Sequence, residues 1–372
     1  MRFRKIIKWL LGIQEKPKIN HDIPLPNIIC IIPAYNEEAT IAKTIESLQA
    51  QTVPISRIIV VDDCSQDKTA DIAKECGAEV IRTPKNTGTK ARAQNYALQF
   101  IEDEDAIVVT VDADTCLKPD AIEKTLPYLL TDKNVASVCG FVIPQKIETF
   151  WEKARFIQYL YHIWLNKGAQ NHMGVPLVSS GCFSVFNFRL LKEFGGFPDK
   201  TMAEDMDLTW RFLMGGKKIK LVPQAVCYPL DPPTWKLYRA QVERWYRSFL
   251  QNISLHRHKL FKNKRLAFFV FWYLISGLMA PIYWILLPLI VIKLSLITNT
   301  VGIFAGIMLL YEFFMVTTIS LINAWRFGQF KKAVKSLPCY WVSMPVESYL
   351  FVKSIILEWF LKRRLVRWEK GH

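Results

Sequence analysis

The sequence predicts an α/β protein: a Rossmann-like, mostly parallel sheet flanked by helices, followed by a C-terminal transmembrane helical hairpin and interfacial helices. Three observations carry that reading. Between about Asn27 and Gln251, apolar runs of strand length alternate with helical patterns, the order that βαβ units impose. From Leu266 to Ile292 there is no charged residue, a stretch exceeding the roughly 20 residues that a membrane-crossing helix needs. Lys and Arg cluster on the flanks of that apolar region, where a cytoplasmic membrane face would place them.

Taken in order, residues 1–22 open with "MRFRKIIKWLLGI", in which Phe3, Ile6, Ile7, Leu10 and Leu11 are interleaved with cations. That pattern fits an amphipathic helix lying on a membrane surface, too short to cross it and lacking the small-residue cleavage site of a signal peptide. Residues 23–255 form the expected cytoplasmic domain. Its strands run Ile28 to Ile32, Arg57 to Val61, Glu79 to Arg82 and Ala106 to Val111, with helices from Ala39, Asp67, Thr89 and Pro119. Residues 256–325 hold two expected membrane helices, about 266–292 and 300–323, with Pro281 and Pro288 kinking the first. Basic residues before the first and after the second (Arg257, Lys259, Lys262, Lys264, Arg265; Arg326, Lys331, Lys332, Lys335) put both outer flanks in the cytoplasm. The segment 326–372 contains a third apolar stretch, 337–361, interrupted by Pro345, Glu347, Lys353 and Glu358 and followed by a basic tail. A crossing there would strand the tail outside, so an interfacial or re-entrant segment is expected. Together these place the chain in the plasma membrane as a multi-pass protein.

Of 372 residues, 51% are hydrophobic, and the net charge is +15. Charge of that size suits nucleic acid, anionic lipid or an anionic substrate; its placement at membrane flanks argues against nucleic acid and for membrane lipids. The eight cysteines are scattered without a C-x-x-C pair or a His at zinc spacing, which fits a reducing compartment and no structural zinc.

In parallel α/β sheets ligands bind beyond the carboxyl ends of the strands. The polar clusters fall there: "PAYNEE" (33–38), "DDCSQD" (62–67), "KNTGTKARAQN" (85–95) and "DADT" (112–115). Two aspartates one residue apart at a strand end, Asp112 and Asp114, supply hard oxygen ligands suited to Mg2+ or Mn2+. Alone, D-x-D reads more readily as a solvated turn. Similarly, Glu204, Asp205 and Asp207 read either as a catalytic cluster or as charges favourable in the first turn of a helix.

The chain resembles the inverting family 2 glycosyltransferases, and among them the membrane-bound polymer synthases of the poly-N-acetylglucosamine, hyaluronan, chitin and cellulose type. The resemblance covers about Pro24 to Asn252 and rests on "IIPAYNEE", "VVDDCSQDKT", "DAD", "SSGCFSVF", "AEDMDLTWRF" and "QVERW", in the family's order. The segment "PQAVCYPLDPPT" (223–234) is most similar to the poly-N-acetylglucosamine group.

That resemblance implies a GT-A-like fold and a role for each matching position. Asp62 and Asp63 would contact uridine, with Pro33, Tyr35 and Glu37 shaping the nucleoside pocket. Lys90 would meet the diphosphate, Asp112 the donor and Asp114 the metal. Asp205 would be the general base, with Glu204 orienting the acceptor or raising the base's pKa. Gly181, Gln241, Arg244 and Trp245 fall on the acceptor and diphosphate side, Arg244 stabilising the leaving group and Trp245 offering a flat face to a sugar ring. The reaction expected is transfer of a sugar, GlcNAc foremost, from a UDP-sugar to a growing β-linked polysaccharide or oligosaccharide, with Mg2+ or Mn2+ as cofactor. A single transfer to a membrane lipid is the alternative, because lipid-directed relatives carry Q-x-x-R-W too. Polymer synthases usually have more than two spans, so the short membrane region here points to a homo-oligomer, a short product or a lipid acceptor. A non-catalytic sensor would lack the base or the metal-site aspartate, and Asp205 and Asp114 are both present.

Overall fold

The computed structural model describes residues 25–281 and 299–365. The N-terminal amphipathic segment and the end of the basic tail lie outside them. The described chain divides into two compact units.

The first unit comprises the chain up to Phe141 together with Val178–Phe197 and Arg211–Tyr228. It begins β1 (Ile28–Ala34), α1 (Ile41–Gln49), β2 (Arg57–Asp62), α2 (Thr69–Glu75), β3 (Glu79–Arg82), α3 (Lys90–Leu98) and β4 (Ile107–Val111). These are the four strands expected from the sequence, and each helix begins within two residues of the position read there. Then come β5 (Thr115–Leu117), α4 (Ala121–Thr131), β6 (Val135–Val142), β7 (Phe183–Asn187) and β8 (Lys218–Pro229). One eight-stranded sheet results, in the order β3-β2-β1-β4-β7-β6-β8-β5.

The chain winds outward from β1 in both directions, through β2 and β3 on one side and β4 on the other, and these neighbours pair in parallel. The strand order therefore reverses at β1, the topological switch point at which such sheets bind ligands. Beyond β4 the pairing turns antiparallel, β4 with β7 and β7 with β6. The sheet is thus mixed, and "mostly parallel" holds only for its first half. Cys30, Ile31, Ile32, Ile59, Val60, Val61, Val108 and Val109 are fully buried, as unbroken apolar runs covered on both faces should be. Gly140 in β6 is dictated by packing: a Cβ there would sit 2.2 Å from the Ala225 carbonyl oxygen of β8.

The second unit comprises Val142–Leu177, Pro198–Trp210 and the described residues from Pro229 onward. It is built from α5 (Phe150–Gln158), α6 (Glu204–Met214, whose last turn belongs to the first unit), α7 (Trp235–His256), α8 (Lys264–Pro281), α9 (Asn299–Arg326) and α10 (Phe330–Ile355). A capping box at Thr149 and Glu152 starts α5, satisfying two otherwise orphaned N–H groups. Tyr238 and Val242 of α7 and Leu350 of α10 form a core against which Trp151, Tyr246 and Val346 pack.

No helix among the described residues is long and apolar enough to cross a membrane, so the expected hairpin is not supported. The α8 helix is described as far as Pro281, and residues 282–298, over which the expected first span continues, lie outside the described residues. The second expected span falls in α9, which buries Val316, Ser320 and Asn323. Asn323 donates to the Leu160 carbonyl at 3.2 Å, so this face is packed against protein. The segment 337–361, expected to be interfacial, lies mostly in α10, where Tyr340, Met344, Leu350 and Phe351 are buried. Its interrupting charges have internal partners: Glu347 accepts from Tyr246 at 3.2 Å, and Glu358 accepts from Arg247 at 2.7 Å.

Candidate active site

In the first unit, the polar clusters at the strand ends fold into a network built from loops far apart in sequence. At the end of β4, Asp112 and Asp114 flank Ala113, which is buried and whose carbonyl accepts from Thr44 of α1 at 2.9 Å. A turn follows at once, the Thr115 N–H donating to the Asp112 carbonyl at 3.0 Å. The small middle residue anchors the motif, and the carboxylates stay partly exposed. Lys90, the first residue of α3, is set by Thr89, whose hydroxyl accepts from the Arg92 N–H. Its ammonium lies 2.5 Å from Asp112 Oδ1 and donates to the Gly181 carbonyl at 2.9 Å. Lys90, Asp112 and Gly181, singled out from three separate motifs, therefore meet at one point. Cys182 is tied to it as well: its carbonyl accepts from the Asp112 N–H at 3.3 Å, and its thiol lies 3.8 Å from that of Cys227. The hydrogen bond with Cys227, burial and the nearby Asp112 charge all push the Cys182 thiol pKa up.

Asp62 and Asp63, at the end of β2, are both buried. Asp62 Oδ1 accepts from the Ser65 N–H at 2.9 Å, and its other oxygen lies 3.3 Å from Arg82. The Asp63 carboxylate accepts from the Thr83 hydroxyl (2.9 Å), the Thr87 N–H (2.8 Å) and the Thr87 hydroxyl (2.9 Å). Here Asp63 organises the 83–89 loop that leads to Lys90. Beyond β1, Pro33 leads into a turn in which Tyr35 is exposed and Asn36 adopts a left-handed backbone. Glu37 is buried: its N–H donates to Thr69 at 2.7 Å, and its carboxylate accepts from Thr40 at 2.9 Å. Tyr35 is thus open at the strand end, whereas Glu37 ties the β1 loop to the starts of α1 and α2.

In the second unit, Glu204 and Asp205 lie partly exposed in the first turn of α6, where the helix dipole favours carboxylates. Asp205 Oδ1 accepts from the Met206 N–H at 2.8 Å. The segment around this pair is held by one stripe of α7. Arg244 donates to the Met202 carbonyl (3.3 Å), Gln251 accepts from the Met202 N–H (3.3 Å), and Asn252 donates to the Thr201 hydroxyl (3.2 Å). His256 Nε2 lies 2.8 Å from Asp207 Oδ1, both groups being buried. Positions 244, 248, 251, 252 and 256 recur at helical spacing, so a single face of α7 fixes residues 201–207. Gln241 and Trp245, one turn apart at the start of the same stripe, both meet Arg155 of α5.

Residues 29–195 match the family model described as Glycosyl transferase family 2. The chain carries a family 2 glycosyltransferase domain. Relatives agree with this. The chain is 28% identical over 281 residues to a probable glycosyltransferase, YdaM, of Bacillus subtilis, covering 73% of this chain and 64% of that protein. It is 26% identical over 346 residues to a poly-beta-1,6-N-acetyl-D-glucosamine synthase of Staphylococcus epidermidis, covering 86% of this chain and 81% of that one. A mannosyltransferase from Pyrobaculum calidifontis, solved with GDP-Man and Mn2+, shares the fold with a TM-score of 0.54 at 18% identity, covering 92% of this chain and 93% of that one.

The structure also draws in residues that the sequence did not single out. Arg155 lies in an aromatic stretch whose Phe156 and Trp164 are buried, and nothing in its sequence neighbours marks it out. His256 had no carboxylate nearby in sequence, since Asp207 is 49 residues away. Gln251 and Asn252 carried one signal, a polar stripe continuing from Arg244 along the same helix face.

Proposed function

We propose that this chain is an inverting glycosyltransferase that transfers a sugar, GlcNAc foremost, from a UDP-sugar to a growing β-linked polysaccharide or oligosaccharide. The observation that carries the reading is the meeting of Lys90 with Asp112 and the Gly181 carbonyl at the end of β4, beside the switch point of the sheet. A cation and a carboxylate held together at a strand end form a receptor for a diphosphate and its counter-cation. The Staphylococcus relative, a synthase of poly-N-acetylglucosamine by name, supports the sugar and the polymer.

The proposed mechanism assigns the protein's own groups as follows. Asp205 takes the proton of the acceptor hydroxyl as that oxygen attacks the anomeric carbon from the face opposite the diphosphate, with Glu204 beside it orienting the acceptor. The bond to UDP breaks as the new one forms, so an α-linked donor yields a β-linkage. Lys90 and Arg244 balance charge on the departing diphosphate, and Trp245 supplies a stacking face. Pro33, Tyr35, Glu37, Asp62 and Asp63 shape the nucleoside site, Asp63 by ordering its loop.

Mg2+ or Mn2+ fits the donor set at Asp112 and Asp114. Among the described residues no group of three or more His, Cys, Asp or Glu side chains is arranged to hold a metal, so phosphate oxygens and water would complete the shell, as is usual for Mg2+. Such an ion would supply charge neutralisation on the leaving diphosphate.

Membrane association is proposed on different ground. The α8 helix exposes Phe268 (56%) and Trp272 (61%), and α9 exposes Phe314 (62%); aromatic faces of this kind suit a lipid interface. A lipid acceptor receiving one sugar remains the second reading on the same observation. The test is UDP release against a panel of UDP-sugars with Mg2+ or Mn2+, with products sized by gel and mass spectrometry. A ladder of products supports polymer synthesis, one sugar on extracted lipid supports the second reading, and no release from any donor overturns both.

A further inference from the structure

Arg155 is 3% exposed, and a buried guanidinium persists only where its charge and donors are matched. Its Nη1 donates to Gln158 Oε1 at 2.7 Å, its Nη2 donates to Gln241 Oε1 at 3.0 Å, and its Nε lies 3.6 Å from Asp231 Oδ1. Its planar head stacks 4.4 Å from the Trp245 ring centre and 4.6 Å from that of Tyr238. Asp231 is in turn fixed by the Tyr159 hydroxyl at 3.0 Å, and the far end of Gln158 bonds Glu347. Two of the three named residues of Q-x-x-R-W thus rest on one buried side chain from another helix.

We propose that Arg155 is the positioning residue of the Q-x-x-R-W motif, fixing which atoms Gln241 and Trp245 present to an anionic or sugar ligand; the proposal rests on the glycosyltransferase reading. The chemistry gives it a direction. A guanidinium only donates, so the Gln241 atom turned toward Arg155 has to be its carbonyl oxygen. The amide NH2 is left as the end offered to a ligand, making Gln241 a donor suited to phosphate or sugar oxygens. The same guanidinium occupies one face of the Trp245 indole, leaving the opposite face as its stacking surface and holding the ring against rotation. Lysine cannot reproduce this, because a point ammonium lacks the plane that spans two amides, a carboxylate and two rings at once.

The test uses the full chain in detergent or lipid, with Arg155→Lys, Arg155→Met, Gln241→Glu and Gln241→Leu. Positioning predicts that both Arg155 variants lose turnover on the order of 100-fold, lysine giving no rescue. Gln241→Glu, which keeps an oxygen for Arg155 but loses the NH2, should fail as Gln241→Leu does. Lysine rescue to within about twofold of wild type, or an active Gln241→Glu, would overturn the proposal. A second readout needs no turnover: hydroxyl-radical footprinting of Trp245 by mass spectrometry should show several-fold faster oxidation in the folded Arg155 variants. Unchanged Trp245 oxidation overturns the positioning role. A wild type that releases no UDP overturns the functional reading instead, and the footprint still decides the role of Arg155.

Discussion

The Nε2 of His256 lies 2.8 Å from Oδ1 of Asp207, two buried groups joining the last turn of α7 to the first turn of α6 two residues beyond the candidate base. With Arg244, Gln251 and Asn252 it makes α7 the template for residues 201–207. Replacing His256 by Ala removes a buried partner of the Asp207 carboxylate. A loss of about 3 kcal/mol in stability is expected, measured by chemical denaturation. His256→Gln, which can still donate to Asp207, is expected to lose less.

At the proposed donor side, Lys90→Met removes the cation held between Asp112 and Gly181. Lys90 is partly exposed, so folding should survive. Turnover is expected to fall by about 100- to 1,000-fold, as for loss of a preorganised charge partner of a leaving group, in UDP-release kinetics at saturating donor.

Gly140 lies where a Cβ would meet the Ala225 backbone oxygen at 2.2 Å and the Phe183 ring at 2.8 Å. Neither backbone nor a buried ring yields cheaply, so Gly140→Ala is expected to destabilise the first unit by about 2 kcal/mol or more, read as a lower melting temperature. Gly88, at which an added Cβ has open space but φ is +76, should tolerate Ala less badly, at about 1 kcal/mol.

The Cys182 thiol is neutral at pH 7, because its hydrogen bond with Cys227, its burial and the Asp112 charge raise its pKa. The thiolate is the reactive form, so alkylation by iodoacetamide should be slow at pH 7 and climb with pH beyond the usual thiol range. Cys227→Ala removes the leading cause and is expected to speed alkylation at fixed pH, followed peptide by peptide in a mass spectrometer.

What could be read from the sequence was what neighbouring residues decide. The strands β1 to β4 and their helices follow from local apolar periodicity and turn residues, and the register that sets Ala34 beside Asp62 follows from the short crossovers between them. Strands β5 to β8 escaped because β7 and β8 enter the sheet after long excursions, and nothing in "FSVFN" states that it will pair antiparallel with β4. Glu347 and Lys353 of α10, and Glu358 just beyond it, gave no sign in the sequence of their partners in α7, Tyr246, Glu243 and Arg247, which lie 101, 110 and 111 residues away. Lys90, Asp112 and Gly181 were each legible as motif positions, but their meeting was not, since it spans 91 residues of chain. Arg155 and His256 were illegible for the same reason: their partners lie 86 and 49 residues away.

The proposed transfer of a sugar from a UDP donor with Asp205 as base is tested most directly by UDP release from wild type and Asp205→Asn side by side. Wild type is expected to release UDP from one UDP-sugar, dependent on Mg2+ or Mn2+, and the variant to fall by about 100-fold or more with UDP binding retained. Equal release by the two proteins, or none by wild type from any UDP-sugar, would contradict it.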